Sequence, residues 1–200
     1  MNEITDDTVP ADPISLFHQW LEQARLTEIN DPEAMCLATA NKDGQPSARM
    51  VLLKEADERG FKFHTNAESQ KGHELHDNPG AALCFHWKSL RKQVRVEGTI
   101  EMASEADADE YFKGRPRMRQ IGAWASQQSR PLKNRAVFEE MIQKLTADYE
   151  GKDVPRPTYW KGYRLIPARI EFWLDNPDRL HDRFLYTKHG NNWNVQRLYP

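Results

Sequence analysis

Four groups of cationic side chains carry the chemical potential of this chain. Arg49 and Lys54 flank the apolar run Met50-Val51-Leu52-Leu53. Lys71 opens a short helical stretch just behind Thr65. Arg115, Arg117 and Arg119 alternate in RPRMRQIGAW, with Tyr111 one helical turn before Arg115. Arg179, His181 and Arg183 alternate in RLHDR, behind Trp173. Guanidinium groups offer phosphate a planar fork of charge-assisted donors, and ammonium groups offer it a compact charge. Taken singly, each group also reads as solvated surface. Together they resemble separate anion sites spaced along a barrel.

The charge balance limits what the anion can be. Twenty-eight Lys and Arg face thirty Asp and Glu in 200 residues, for a formal net charge of −2. A nucleic-acid-binding domain usually shows a basic excess, so the cationic groups point to a small anionic ligand rather than a polyanion. No run approaches the roughly 18 apolar residues of a membrane span. The acidic start MNEITDDTVP lacks the apolar core of a signal peptide. With two separated cysteines, Cys36 and Cys84, a reduced cytoplasmic protein is the expectation.

Other chemistries find little support. Neither G-x-G-x-x-G after a strand nor G-x-x-x-x-G-K-[ST] occurs, which disfavours a Rossmann unit or a P-loop. His73 and His76 in HELH stand three apart where a zincin needs four, so a solvated helix face is expected and no metal. G-x-S-x-G is missing. Cys84 and His86 share a strand face, yet a core cysteine is the simpler reading.

The elements that must position these groups are legible in outline. Residues 1–11 read as a flexible tail and 12–200 as one domain. Asp12-Pro13 predicts a helix start, and Phe17, Trp20, Leu21 and Ala24 mark one face of a helix over 13–26. Strands are predicted at 35–40, 48–54 and 61–65, with turns at 41–44 and 56–60. A short helix over 69–79 ends at Asn78-Pro79, and strands follow at 82–87 and 93–102. Ser104 with Asp107 predicts a helix through Phe112, and Val137, Met141, Leu145 and Tyr149 mark another over 133–149. Residues 152–160 read as a loop, before strands at 163–174, 184–188 and 193–200. About seven mostly antiparallel strands with helices in the connections imply an α+β β-barrel with helical inserts.

The runs RMVLLK, FHTN-x₃-QKG, RQVRVEG, YFKGRPR-x₂-QIGAW, QQS, EFW and RLHDR occur in this order over residues 11–200, and the chain closes on RLYP. In these motifs the sequence resembles the pyridoxine/pyridoxamine 5′-phosphate oxidase family. The resemblance implies a Greek-key-like split β-barrel that binds FMN, as a homodimer with two active sites at the subunit interface. It implies oxidation of pyridoxine or pyridoxamine 5′-phosphate at the 4′ carbon to pyridoxal 5′-phosphate, with O₂ reoxidising the flavin and yielding H₂O₂.

Carried over by position, Arg49 and Lys71 would hold the FMN phosphate with Gln70, Thr65 and Ser129 nearby. Met50, Val51, Leu52, Leu53, Lys54 and His64 would line the flavin, and Gln93, Gln128, Trp173 and Arg183 would contact its ring or ribityl chain. Lys54, Tyr111, Arg115 and Arg119 would bind the substrate phosphate. Arg179, Leu180 and His181 would lie over the pyridine ring, with Arg179 and His181 as the catalytic pair. Two positions depart from the family pattern: Gln70 stands where many members carry Arg, and Arg119 where Ser is usual. MNEITDDTVP also lacks the Arg- and Tyr-containing segment that folds over the substrate in some relatives. Alternatives within reach are a phenazine-type FMN oxidase and a non-catalytic flavin- or haem-binding split barrel.

Overall fold

In the computed structural model, which describes residues 8–200, helix α1 (Pro13–Thr27) is the plug of the core. Asp12 caps it by accepting from the amides of Ile14 and Ser15, both at 3.0 Å, with Pro13 at the first helical position. Leu16, Phe17, Trp20, Leu21 and Ala24 are buried. Phe17 meets Phe61 and Phe85 edge-on at 4.9 Å, and Trp20 meets Phe172 at 5.2 Å. Residues 1–7 of the expected tail lie outside the described residues. Beyond them, Val9 packs on the core and the Pro10 carbonyl accepts from the Tyr186 hydroxyl at 2.6 Å.

Nine antiparallel strands curl around this helix as a half-barrel with helical insertions, the architecture of a split barrel. They are β1 (Ala34–Ala40), β2 (Pro46–Leu52), β3 (Glu55–Asp57), β4 (Gly60–Asn66), β5 (Gly80–Trp87), β6 (Lys92–Met102), β7 (Trp160–Leu174), β8 (Asp182–His189) and β9 (Asn192–Leu198). The order is β2-β1-β5-β6-β7-β4-β3, with β8 and β9 continuing from β7. β7 makes the split possible. Residues 160–165 pair with β4 and residues 169–174 with β8, while its other edge runs along β6. A bulge at Glu97/Gly98 bends the sheet there. Gly98 permits it, because a Cβ would lie 2.0 Å from the Ile166 carbonyl oxygen.

The remaining helices are α2 (Gln70–Asp77), α3 (Glu105–Lys113), α4 (Arg117–Ala125) and α5 (Arg135–Asp148). Ser69, Ser104 and Asn134 cap α2, α3 and α5. Phe112, Ile121, Val154 and Trp160 form a second, smaller core beneath α3 to α5.

Four sequence expectations need correction. The turn expected at 56–60 overlaps β3, which pairs Glu55 and Ala56 with Lys62 and Phe61. β7 begins at Trp160, inside the expected loop, because its first residues complete the β4 pairing. Helix α4 was not anticipated: Pro116 stands at its N-cap without a side-chain bond, and no acid marks its first turn. Cys84 is not a core residue. Leu83 and Phe85 take the inward positions of β5, so Cys84 faces outward opposite Cys36. Both thiols are free and half-buried.

Candidate active site

A cavity of about 560 Å³ opens between β2, β4 and the α2, α3 and α4 helices. Among the described residues, five cations line it (Arg49, Lys54, Lys71, Arg115 and Arg119) and no carboxylate does. They fall into two groups, each built by separate elements.

In the first group, Arg49 comes from β2 and Lys71 from the first turn of α2. Arg49 donates to the Leu37 carbonyl at 3.2 Å and to Glu74 Oε2 at 3.1 Å. Burial works against the Glu74 charge, but hydrogen bonds from Thr39, Ser47, Gln70 and Arg49 hold its pKa well below the usual carboxylate range. Glu74 therefore acts as the fixed anion behind Arg49. Lys71 is buried and donates to Ser69 Oγ at 3.1 Å and Gln128 Oε1 at 3.0 Å. Burial and the neighbouring Arg49 charge pull its pKa down to about 8, against a smaller opposing effect of Glu74. Thr65, Gln70 and Ser129 line the cavity nearby. The Gln70 amide is turned onto Glu74 Oε1 at 2.8 Å. Ser129 holds a left-handed φ of 70°, a strained conformation for a non-glycine residue.

The second group gathers around stacked rings. His64 on β4, Tyr111 on α3 and Trp160 on β7 lie parallel to within 6°, with His64 centred 4.2 Å from Tyr111 and 4.8 Å from Trp160. Gly162, opposite His64, leaves room for this ring, since a Cβ would lie 3.1 Å from His64 Nε2. Burial lowers the His64 pKa to about 4, despite Asp107 nearby, so the imidazole is neutral at pH 7. Arg115 stacks its guanidinium over Trp160 at 4.8 Å. Its Nη1 is buried without a hydrogen-bond partner among the described residues. Burial, together with the Arg119 charge, lowers its pKa. Lys54 stands 5.7 Å over the Tyr111 ring. Two adjacent guanidiniums, one with an orphaned buried nitrogen, form a site suited to an anion.

Of the residues expected at a site, Arg49, Met50, Val51, Leu52, Lys54, His64, Thr65, Gln70, Lys71, Tyr111, Arg115, Arg119, Gln128 and Ser129 line this cavity. Leu53 does not; its side chain is in the core. Gln93, Trp173, Arg179, Leu180, His181 and Arg183 are also absent from the lining and form a second assembly. Gln93, Trp173 and Arg183 are cross-strand neighbours on β6, β7 and β8. The connection from β7 to β8 brings His181 to 4.6 Å from Trp173, with Nδ1 3.1 Å from Asp175 Oδ1. Asp178 and Arg179 take left-handed φ values of 57° and 61° there, which turns the chain sharply. Arg179 and Leu180 are exposed.

Sequence reasoning missed Ser47, Trp160 and Glu74. Trp160 was hidden in a stretch read as loop because of Pro155 and Pro157, although aromatic and apolar residues continue from it into the strand. Glu74 had a signal in its i,i+4 spacing from Gln70.

Comparison with known proteins adds three findings. A family model described as pyridoxamine 5′-phosphate oxidase matches residues 21–147, and one described as pyridoxine 5′-phosphate oxidase C-terminal dimerisation region matches residues 160–200. Pyridoxine/pyridoxamine 5′-phosphate oxidases of Gluconobacter oxydans and Brucella canis are 54% and 53% identical, over all of this chain and 100% and 99% of theirs. The crystal structure of PhzG from Burkholderia lata, in complex with tetrahydrophenazine-1-carboxylic acid, superposes with a TM-score of 0.92 at 33% identity, covering 100% of this chain and 98% of that one.

Proposed function

The chain belongs to the pyridoxamine 5′-phosphate oxidase family, and from that membership we propose a division of its cavity between two phosphates. The protein is an FMN-dependent oxidase that converts pyridoxine or pyridoxamine 5′-phosphate to pyridoxal 5′-phosphate. It forms a homodimer and acts on a small molecule. FMN, when bound, would supply the redox chemistry, an acceptor for hydride from the substrate 4′ carbon with O₂ as the terminal acceptor.

Arg49 and Lys71 grip the FMN phosphate, with Thr65, Gln70 and Ser129 as further donors. Glu74 holds Arg49 in place, and the backbone from Met50 to Leu53, at the end of β2 and just beyond it, lies along the flavin. Lys54, Tyr111, Arg115 and Arg119 bind the substrate phosphate. Neutral His64 and Trp160 keep Tyr111 and Arg115 oriented without adding charge of their own. Gln93, Trp173, Arg179, Leu180, His181 and Arg183 come from the partner subunit's copy of the second assembly. Gln93, Trp173 and Arg183 contact the flavin, and Arg179 and His181 hold the pyridine ring.

The observation that carries this reading is a cavity lined, among the described residues, by five cations and no carboxylate, the cations falling into two groups. Each phosphate gains several charge-assisted bonds of about 1.5–3 kcal/mol apiece. The test is direct. The purified protein should bind FMN and form aldehyde from pyridoxine 5′-phosphate with O₂ uptake. A protein that cannot be loaded with FMN would refute the reading.

The PhzG likeness supports a second reading, an FMN oxidase of a phenazine precursor. A phenazine carboxylate would offer Lys54, Arg115 and Arg119 one negative charge and two oxygens where a phosphate offers up to two charges and three oxygens, which favours the vitamin phosphates. A flavin-loaded protein inert to both vitamin phosphates would reverse that preference.

A further inference from the structure

Glu171 has no part in the allocation above, yet its position is unusual. It lies on the outer face of the sheet in a row running Cys84–Arg95–Glu171–Leu185 across β5 to β8. The neighbouring row on that face is Gln93–Trp173–Arg183. Glu171 is only 4% exposed. A carboxylate so buried is costly unless cations and hydrogen bonds satisfy it.

Two arginines do so. Arg183 Nε donates to Glu171 Oε1 at 2.9 Å, and Arg95 Nη2 donates to Oε2. Burial works against the charge, but these bonds hold the Glu171 pKa below its usual value. Arg183 is fixed a second time, by donation from Nη1 to the Tyr199 carbonyl at 3.0 Å. With Nε and Nη1 engaged, the plane of the guanidinium is set and Nη2 is the nitrogen left to meet a ligand. The cluster of two arginines and one glutamate keeps one net positive charge.

We propose that Glu171 is a positioning residue for the flavin: it aims the Arg183 guanidinium at the cofactor and, with Arg95 as its own counter-charge, moderates the positive potential there. The proposal rests on the reading that Arg183 contacts FMN. An ion pair that merely tied β6, β7 and β8 together would leave the flavin's properties alone.

Three variants separate the possibilities, each read by FMN fluorescence titration, flavin midpoint potential and dimer mass. Arg183→Ala tests the underlying reading and should raise the FMN Kd at least about tenfold. Glu171→Ala frees Arg183 and sets it against Arg95, so it should raise the Kd to a similar extent. Glu171→Gln keeps an acceptor for Arg183 Nε but removes the negative charge. It should leave the dimer intact and favour reduced flavin about tenfold, a rise of about 30 mV for a two-electron couple. Wild-type Kd and potential in both Glu171 variants, with loss in Arg183→Ala, would overturn the proposal and leave the reading of the site standing. No loss in Arg183→Ala would remove the reading itself. If Glu171→Ala fails to fold, Glu171→Gln decides alone, and an unchanged potential overturns the proposal.

Discussion

Three arginines two residues apart do three different jobs. Arg115 is half-buried and stacked on Trp160, and its Nη1 has no partner among the described residues. Arg117 donates to the Lys152 and Tyr149 carbonyls and closes the C-terminal end of α5. Arg119 is exposed to the main cavity and to a neighbouring one of about 390 Å³. Arg115→Ala should raise KM for pyridoxine 5′-phosphate at least about tenfold and leave FMN affinity unchanged, because one charge-assisted contact is worth about 1.5–3 kcal/mol. Steady-state kinetics beside flavin titration checks this. Arg119→Ser restores the residue usual in the family and should keep activity. Lys71 adds a pH dependence. Its pKa is about 8 before an anion arrives, and a phosphate beside it favours the charged form. FMN affinity should therefore be flat below pH 8 and fall above it, as binding comes to require proton uptake. Lys71→Met should bind more weakly and lose that slope in a titration from pH 7 to 9.5.

At the scale of elements, the site depends on one crossing of strands. β4 and β7 pair so that His64 faces Gly162, and α3 lays Tyr111 on the same imidazole. A methyl group at Gly162 would lie 2.9 Å from Ala103 Cβ and 3.1 Å from His64 Nε2. Gly162→Ala should cost about 1–3 kcal/mol by overpacking, read by urea unfolding. The same change should raise KM for the phosphorylated substrate, because the displaced ring carries Tyr111 with it. Helix α5 shows the reverse case. Its periodicity predicts a buried face, yet Val137 and Met141 are each 42% exposed, while Ile142, Leu145 and the C-cap Tyr149 reach the smaller core.

For the whole molecule, the division of the expected site residues into two assemblies has a consequence for the dimer. If each active site takes Arg115 from one subunit and Arg179 from its partner, chains carrying either defect alone are complementary. Mixing Arg115→Ala and Arg179→Ala chains, with subunit exchange, should restore roughly a quarter of the wild-type sites, since half the dimers are mixed and each holds one intact site. Activity at substrate levels below the wild-type KM measures this. No recovery from verified mixed dimers would place both arginines in sites of one chain.

Features that depend on residue type and local period were readable from the chain alone. The Asp12 and Ser104 caps, the alternation in β6 and the family motifs are of this kind, and so is the presence of cations without a basic excess. These signals act over a few residues, so the order of elements and the family were legible. Helix α4 was not, because Pro116 provides no side-chain cap and its stability comes from burying Ile121 in the smaller core. Which cations share a cavity, that Trp160 and Glu74 belong with them, and that the RLHDR residues stand apart from it emerged from the packing of distant segments. That packing also decided charge states, with His64 neutral and Lys71 near 8. Desolvation and charge coupling arise from neighbours distant along the chain, such as Arg49 beside Lys71, and no local pattern encodes them.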